Sequence, residues 1–295
     1  MFLIRWISRW PLGLLHALGA ALGWLVWALS PTYRRRLAAN GRLAGVSRQA
    51  LRRSVAETGR MVAELPWLWL RPHDEPLGER IEWVDARFLD EAVAARRPVM
   101  LLTPHMGTFE VVARSYVERH GAVQPLTVLY RPARQPWLRE FQESARARPM
   151  LATAPANLAG VRQMLRALKR GESIAVLPDQ VPPDGQGVWA PFFGLPAYTM
   201  TLAARLILQT GAVPVVMRAE RLPHGRGWRM HVSTLVAPLM PGTDSAALAQ
   251  CAEVMNRTME ATILADPSQY LWSYNRYKQP RPAAAPTIGP ENDAA

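Results

Sequence analysis

The residues best suited to chemistry lie in LLTPHMGTFEVV, residues 101–112, where His105 is followed five positions later by Glu110. An imidazole titrates near neutral pH and can take a proton from a hydroxyl, provided a second group holds its tautomer and steadies the imidazolium. Glu110, folding back toward the turn, is expected to accept a hydrogen bond from one ring nitrogen and leave the other as a general base. That is the base-and-orienter half of a serine-hydrolase triad, with a substrate hydroxyl in place of the serine. By itself an H-x-x-x-x-E spacing is a weak signal, since a solitary histidine is more often a packed or capping residue.

The surrounding elements decide whether such a pair can work. Residues 98–103 (PVMLLT) form a short apolar run suited to a buried strand, and Phe109, Val112, Ala113 and Tyr116 recur at helical spacing. His105 therefore falls in a strand-to-helix turn, and in open α/β sheets ligands gather at the carboxyl ends of strands. Further strands are expected at 126–130, 174–177, 213–218 and 228–235, the last half-exposed. Helices are expected at 137–146, from a cap at Asn157 to a stop at Gly171, at 201–209 before Gly211, and over 246–264. The alternation predicts an α/β fold with a mostly parallel central sheet covered by helices on both faces. Phe192, Phe193 and Gly194 read as a turn against a pocket wall, and Thr199 and Thr201 as helix caps.

The first thirty residues differ in character. Residues 11–29 carry no charge, and their length approaches the roughly 20 residues of a bilayer-spanning helix. Trp6, Trp10, Trp24 and Trp27 lie near the ends of the run, as interfacial aromatics do, and Arg34, Arg35, Arg36 and Arg42 follow it. Residues 1–30 are expected to be a membrane anchor helix, spanning or lying in the bilayer, with the remainder in the cytoplasm by the positive-inside rule. A signal peptide and a buried core helix are the competing readings. Residues 31–72 look helical and amphipathic, rich in arginine, and end in the apolar patch PWLWL, which suits a membrane interface or the covering of a core. The catalytic domain is expected over 31–279, and the Pro- and Ala-rich tail, 280–295, is expected to be disordered.

Composition sets further bounds. The 295 residues have a net charge of +12, which favours an acidic partner: nucleic acid, anionic lipid or an acidic protein. The arginines are scattered along helices without interleaved aromatics or a recognised nucleic-acid motif, so nucleic acid is not expected. One cysteine, Cys251, excludes an internal disulfide and any multi-thiolate zinc site. With no phosphate-binding loop, dinucleotide fingerprint or ligand cluster in the sequence, neither a cofactor nor a metal is expected.

Five segments occur together in order: HMGTFE at 105–110, YRP at 130–132, LPDQ at 177–180, GVWAPFFGLPAYT at 187–199 and QYLWSYNRYK at 269–278. In these the chain resembles the bacterial lipid A late acyltransferases, a branch of the lysophospholipid acyltransferase superfamily, from the apolar N-terminal helix to about residue 282. The glycerolipid branch usually has aspartate where this chain has Glu110, and an F-P-E-G-like segment where it has LPDQ. The resemblance implies a catalytic pair of His105 and Glu110, acyl transfer from an acyl carrier protein thioester to a hydroxyl of a lipid A precursor, no covalent acyl-enzyme, and a place at the bacterial inner membrane. It implies substrate-binding roles for Arg131, Asp179 and Gln180. Arg131 suits an acceptor phosphate or a developing negative charge, with a structural ion pair as the alternative. Asp179 suits ordering Arg131 or binding a sugar hydroxyl, with strand-end capping as the alternative. A glycerolipid acyltransferase is the nearest rival function.

Overall fold

The computed structural model describes residues 2–72, 74–130, 135, 148–242 and 244–281. It opens with four helices, α1 (Phe2–Ile7), α2 (Leu12–Leu29), α3 (Pro31–Leu43) and α4 (Arg48–Leu70). The long amphipathic stretch breaks in two because Gly45, at φ 67°, ends α3, while Ser47 caps α4 by accepting the Ala50 N–H.

The α/β part contributes β1 (Ile81–Val84), α5 (Arg87–Ala94), β2 (Val99–Leu102), α6 (Phe109–His120), β3 (Leu126–Tyr130) and β4 (Leu151–Pro155). It continues with α7 (Leu158–Lys169), β5 (Ser173–Val176), β6 (Gly187–Phe192), β7 (Leu195–Met200) and α8 (Leu202–Thr210), and ends in β8 (Val213–Arg221), β9 (Trp228–Ser233) and α9 (Ser245–Ala265). Seven strands form one sheet in the order β1-β9-β8-β2-β5-β3-β4, parallel throughout except for the β8–β9 pair. β6 and β7 make a separate antiparallel hairpin. The expected class is therefore the observed one. The expected helix at 137–146 and nearly all of the tail lie outside the described residues.

Side-chain alternation along the central strands splits the interior into two layers. Val99 and Leu101 face a layer closed by α5, α6 and the end of α4, through Leu89, Val112, Tyr116 and Trp67. Met100 and Leu102 face the other, closed by α7, α8 and α9 through Met164, Leu206 and Met255. Elements with weak sequence signals, β1, β4, α5 and the hairpin, complete the edges and one wall. Cys251 is buried in α9.

The N-terminal helices are built into this body. α2 runs antiparallel to α4 with the two backbones in contact: a Cβ on Gly59 would sit 1.9 Å from the Gly19 carbonyl oxygen, and one on Gly23 would sit 2.3 Å from that of Val55. Leu12 and Leu15 enter the first layer, and Trp27 packs against the second. Gly59→Val should therefore destabilise the protein by about 1–3 kcal/mol, the usual cost of forcing atoms into a filled contact. Denaturant unfolding in detergent reads this, and an unchanged midpoint would refute the contact.

Candidate active site

The site begins with strand register. β2 and β5 are neighbouring parallel strands with Leu102 opposite Val176, so the residues three beyond each, His105 and Asp179, emerge side by side at the carboxyl edge of the sheet. The turn that carries His105 needs Gly107. Its φ is 53°, and a Cβ there would lie 1.8 Å from the Ala219 carbonyl oxygen of β8. The turn is stitched down by Gly107 N–H to the Gln269 carbonyl (2.8 Å) and Thr108 N–H to the Ala219 carbonyl (3.1 Å).

His105 Nδ1 lies 2.7 Å from Asp179 Oδ1, and the His105 backbone N–H donates to Asp179 Oδ2 at 3.0 Å. Asp179, 74 residues away, thus holds one ring nitrogen of His105, a partner that local spacing does not reveal. The reason is geometric. The carboxylate is brought by a neighbouring strand, while Glu110 sits on the second residue of α6, where its Oε2 accepts the Trp69 indole N–H at 3.2 Å.

Burial of the Asp179 carboxyl pushes its pKa upward, but the adjacent His105 ring, its hydrogen bonds and Arg276 outweigh this and hold it below the usual carboxylate range. An ionised carboxylate only accepts hydrogen bonds, so His105 donates to it from Nδ1, and the neutral form of the ring has its lone pair on Nε2. Burial, then Asp179, pushes the Tyr270 hydroxyl well above its ordinary value, keeping it a neutral neighbour.

Beneath the turn lies a polar cluster that sequence reasoning missed. Glu64, with no exposed surface, accepts the Thr108 hydroxyl (2.7 Å) and the Arg221 Nε–H (3.0 Å), and His16 of α2 approaches it at 3.0 Å. Arg221 also donates to the Gly107 carbonyl and to Glu57, and the Trp228 indole donates to Thr108 Oγ1. Burial raises the Glu64 pKa, yet Arg221 and His16 bring it below its ordinary value. Burial opposes the Arg221 charge, and Glu64 and Glu57 more than restore it. The glutamates sit on an amphipathic helix like many others, and nothing in their spacing marks them.

A cleft of about 800 Å³ opens over this edge, a size typical of small-molecule sites. His105 and Glu110 both line it, with Val128, Leu158, Val161 and Met200 among its apolar lining and Gln180, Arg205 and Lys278 among its polar lining. Of the expected substrate-binding residues, Asp179 and Gln180 are thus at the site, and Arg131 lies outside the described residues. Phe193 (φ 47°) and Gly194 (φ 79°) form the expected turn, joining β6 to β7. Thr199 is no helix cap: it is buried in β7, where its Oγ1 accepts from Arg276 and Asn256. Thr201 precedes α8 without a side-chain cap bond. Among the described residues no group of three or more His, Cys, Asp or Glu is placed to hold a metal ion.

The model of a family described as bacterial lipid A biosynthesis acyltransferase matches residues 1–279. The chain is 26% identical over 293 residues to the lipid A biosynthesis lauroyltransferase of Escherichia coli K12, covering 95% of this chain and 90% of that one. It is 28% identical over 236 residues to the lipid A biosynthesis palmitoleoyltransferase of the same organism, covering 78% and 69%. With a lipid A biosynthesis acyltransferase of Haemophilus influenzae it shares 24% identity over 280 residues, covering 91% and 85%.

Two outcomes follow from the geometry. Asp179→Asn should preserve the shape but lose the tautomer control, lowering turnover by ~10²–10⁴. It should also flatten the acid limb of stability. The lowered Asp179 pKa contributes stability that is present above the ordinary carboxylate range and lost as pH falls through the folded value. Melting temperature against pH for both proteins checks this. Glu64→Gln should cost on the order of 3–5 kcal/mol, because it strips a buried guanidinium of its nearest counter-charge, and thermal unfolding measures it.

Proposed function

Since the chain belongs to the bacterial lipid A biosynthesis acyltransferase family and is an acyltransferase, we propose that it moves a fatty acyl group from an acyl carrier protein thioester to a hydroxyl of a lipid A precursor, with His105 as general base. The observation that carries the reading is an imidazole tied through Nδ1 to a buried carboxylate at the mouth of a largely apolar cleft.

His105 Nε2 takes the proton of the acceptor hydroxyl as its oxygen attacks the thioester carbonyl carbon. The resulting oxyanion collapses, the C–S bond breaks, and the imidazolium returns the proton to the departing thiolate. No covalent acyl-enzyme is required. Asp179 steadies the imidazolium while it exists. Glu110, in the same cleft wall and braced by Trp69, adds a second carboxylate that favours that charge and meets the incoming acceptor. Gln180 offers an amide to acceptor hydroxyls, and Arg131, the next residue in sequence after β3, is proposed to meet an acceptor phosphate or the oxyanion. An acyl carrier protein is acidic, so the net charge of +12 and the cations Arg205 and Lys278 at the cleft suit its approach. The names of the relatives, which specify lauroyl and palmitoleoyl transfer, support a fatty acyl donor. The enzyme is assigned to the inner membrane, acting at its cytoplasmic face.

Purified protein supplied with acyl carrier protein thioesters should acylate a lipid A precursor and leave lysophosphatidic acid untouched. His105→Ala should lower the rate by several orders of magnitude and Glu110→Ala by at least ~10², both without loss of folded structure by circular dichroism. Transfer to the glycerolipid alone would overturn the acceptor, and near-normal rates in both variants would overturn the catalytic assignment.

A further inference from the structure

The apolar helix α2 is long enough to cross a bilayer, yet both of its ends are fastened to the same catalytic body. At the start, Ile7 and Trp10 pack against the first interior layer, Leu12 and Leu15 are part of it, and a Cβ on Gly13 would meet the His224 carbonyl oxygen at 3.3 Å. At the other end Trp27 and, just beyond the helix, Tyr33 pack against the second layer, and Leu37 belongs to it. Between these ends His16 reaches Glu64, Gly19 meets Gly59 and Gly23 meets Val55, so α4 accompanies α2 along most of its length.

A spanning helix must deliver its two ends to opposite sides of a hydrocarbon layer about 30 Å thick. Here that would draw α4 into the bilayer as well, with the exposed Arg52 and Arg53 and the Glu57–Arg60 pair, and charged side chains at that depth are costly. The outward face of α2 has the opposite character. Leu14, Leu18, Leu22, Leu25 and Leu29 form one exposed stripe, with Leu29 74% exposed. Exposed arginines bracket it, Arg5 and Arg9 before and Arg35 and Arg36 after. An apolar stripe with cations at both ends fits the boundary between acyl chains and anionic headgroups.

Resting on the membrane attachment proposed above, we infer that α2 lies in a single leaflet, its leucine stripe among the acyl chains and both ends on the side of the catalytic domain. The partner is an anionic lipid surface, and the enzyme enters it without crossing it. α4 then rides just behind α2, and the Glu64 cluster beneath the catalytic turn sits directly behind the bound face.

The test uses full-length protein with Cys251→Ala and a single new cysteine, Ser8→Cys or Thr32→Cys, one beyond each end of α2. Spheroplasts expressing each variant are treated with a membrane-impermeant maleimide before and after lysis. Protection of both positions in intact spheroplasts, with labelling after lysis, supports the single-leaflet placement. Labelling of position 8 from outside while position 32 stays protected would overturn it and leave membrane attachment standing. Recovery of the parent protein in the soluble fraction would overturn both. As a second measurement, Leu18→Glu with Leu22→Glu should release folded protein from vesicles containing anionic phospholipid, with at least a tenfold drop in the bound fraction; unchanged binding would show that the stripe is not the attachment.

Discussion

A glutamate with no contact with water holds the reactive edge of this molecule together. Glu64 would be an expensive group to bury alone, and it is tolerated because Arg221 lies against it and the Thr108 hydroxyl and His16 complete its coordination. Glu64 lies on α4, and its three partners come from other parts of the chain: the end of β8, the turn after β2, and α2. An ion pair of this kind adds little net stability compared with apolar packing, but it tolerates few alternative arrangements. Its value here is positional. It fixes the backbone at Gly107 and Thr108, and with it the direction in which His105 leaves the sheet.

His105 then depends on a second buried carboxylate reached through the sheet. Parallel pairing of β2 with β5 brings Asp179 beside the imidazole, and the backbone N–H of His105 binds the same carboxylate as its ring does. One acidic group therefore sets both the main-chain position and the tautomer. With Nδ1 committed, only Nε2 is left for a substrate, and Glu110 takes a separate place along the cleft.

Much of this was legible in the residues. Short apolar runs at 98–103 and 174–177, with caps and stops at Asn157, Gly171 and Gly211, are local signals, and the strands and helices fall where they indicate. The turn holding His105, and the motif order that carries the family resemblance, are likewise readable without coordinates. The partner of His105 was not, because it depends on which strands are neighbours, and strand order is a property of the whole chain. Glu64 and Arg221 were invisible for a related reason. A charge on an amphipathic helix or at a strand end is ordinarily solvated, and only tertiary packing made these two face inward. From the residues alone Thr199 reads as a cap, because the hairpin of β6 and β7 has weak alternation, interrupted by Pro191 and Pro196.

The glycine-lined seam between α2 and α4 also bears on how the protein is made. Translation releases residues 12–29 well before residues 55–64, so this long apolar segment leaves the ribosome with its groove not yet synthesised. During that interval its leucine, tryptophan and glycine faces are all bare to water, which is unfavourable for so apolar a segment. Docking of α4 later turns that segment into a two-faced one, covering its glycines and leaving the leucines outward.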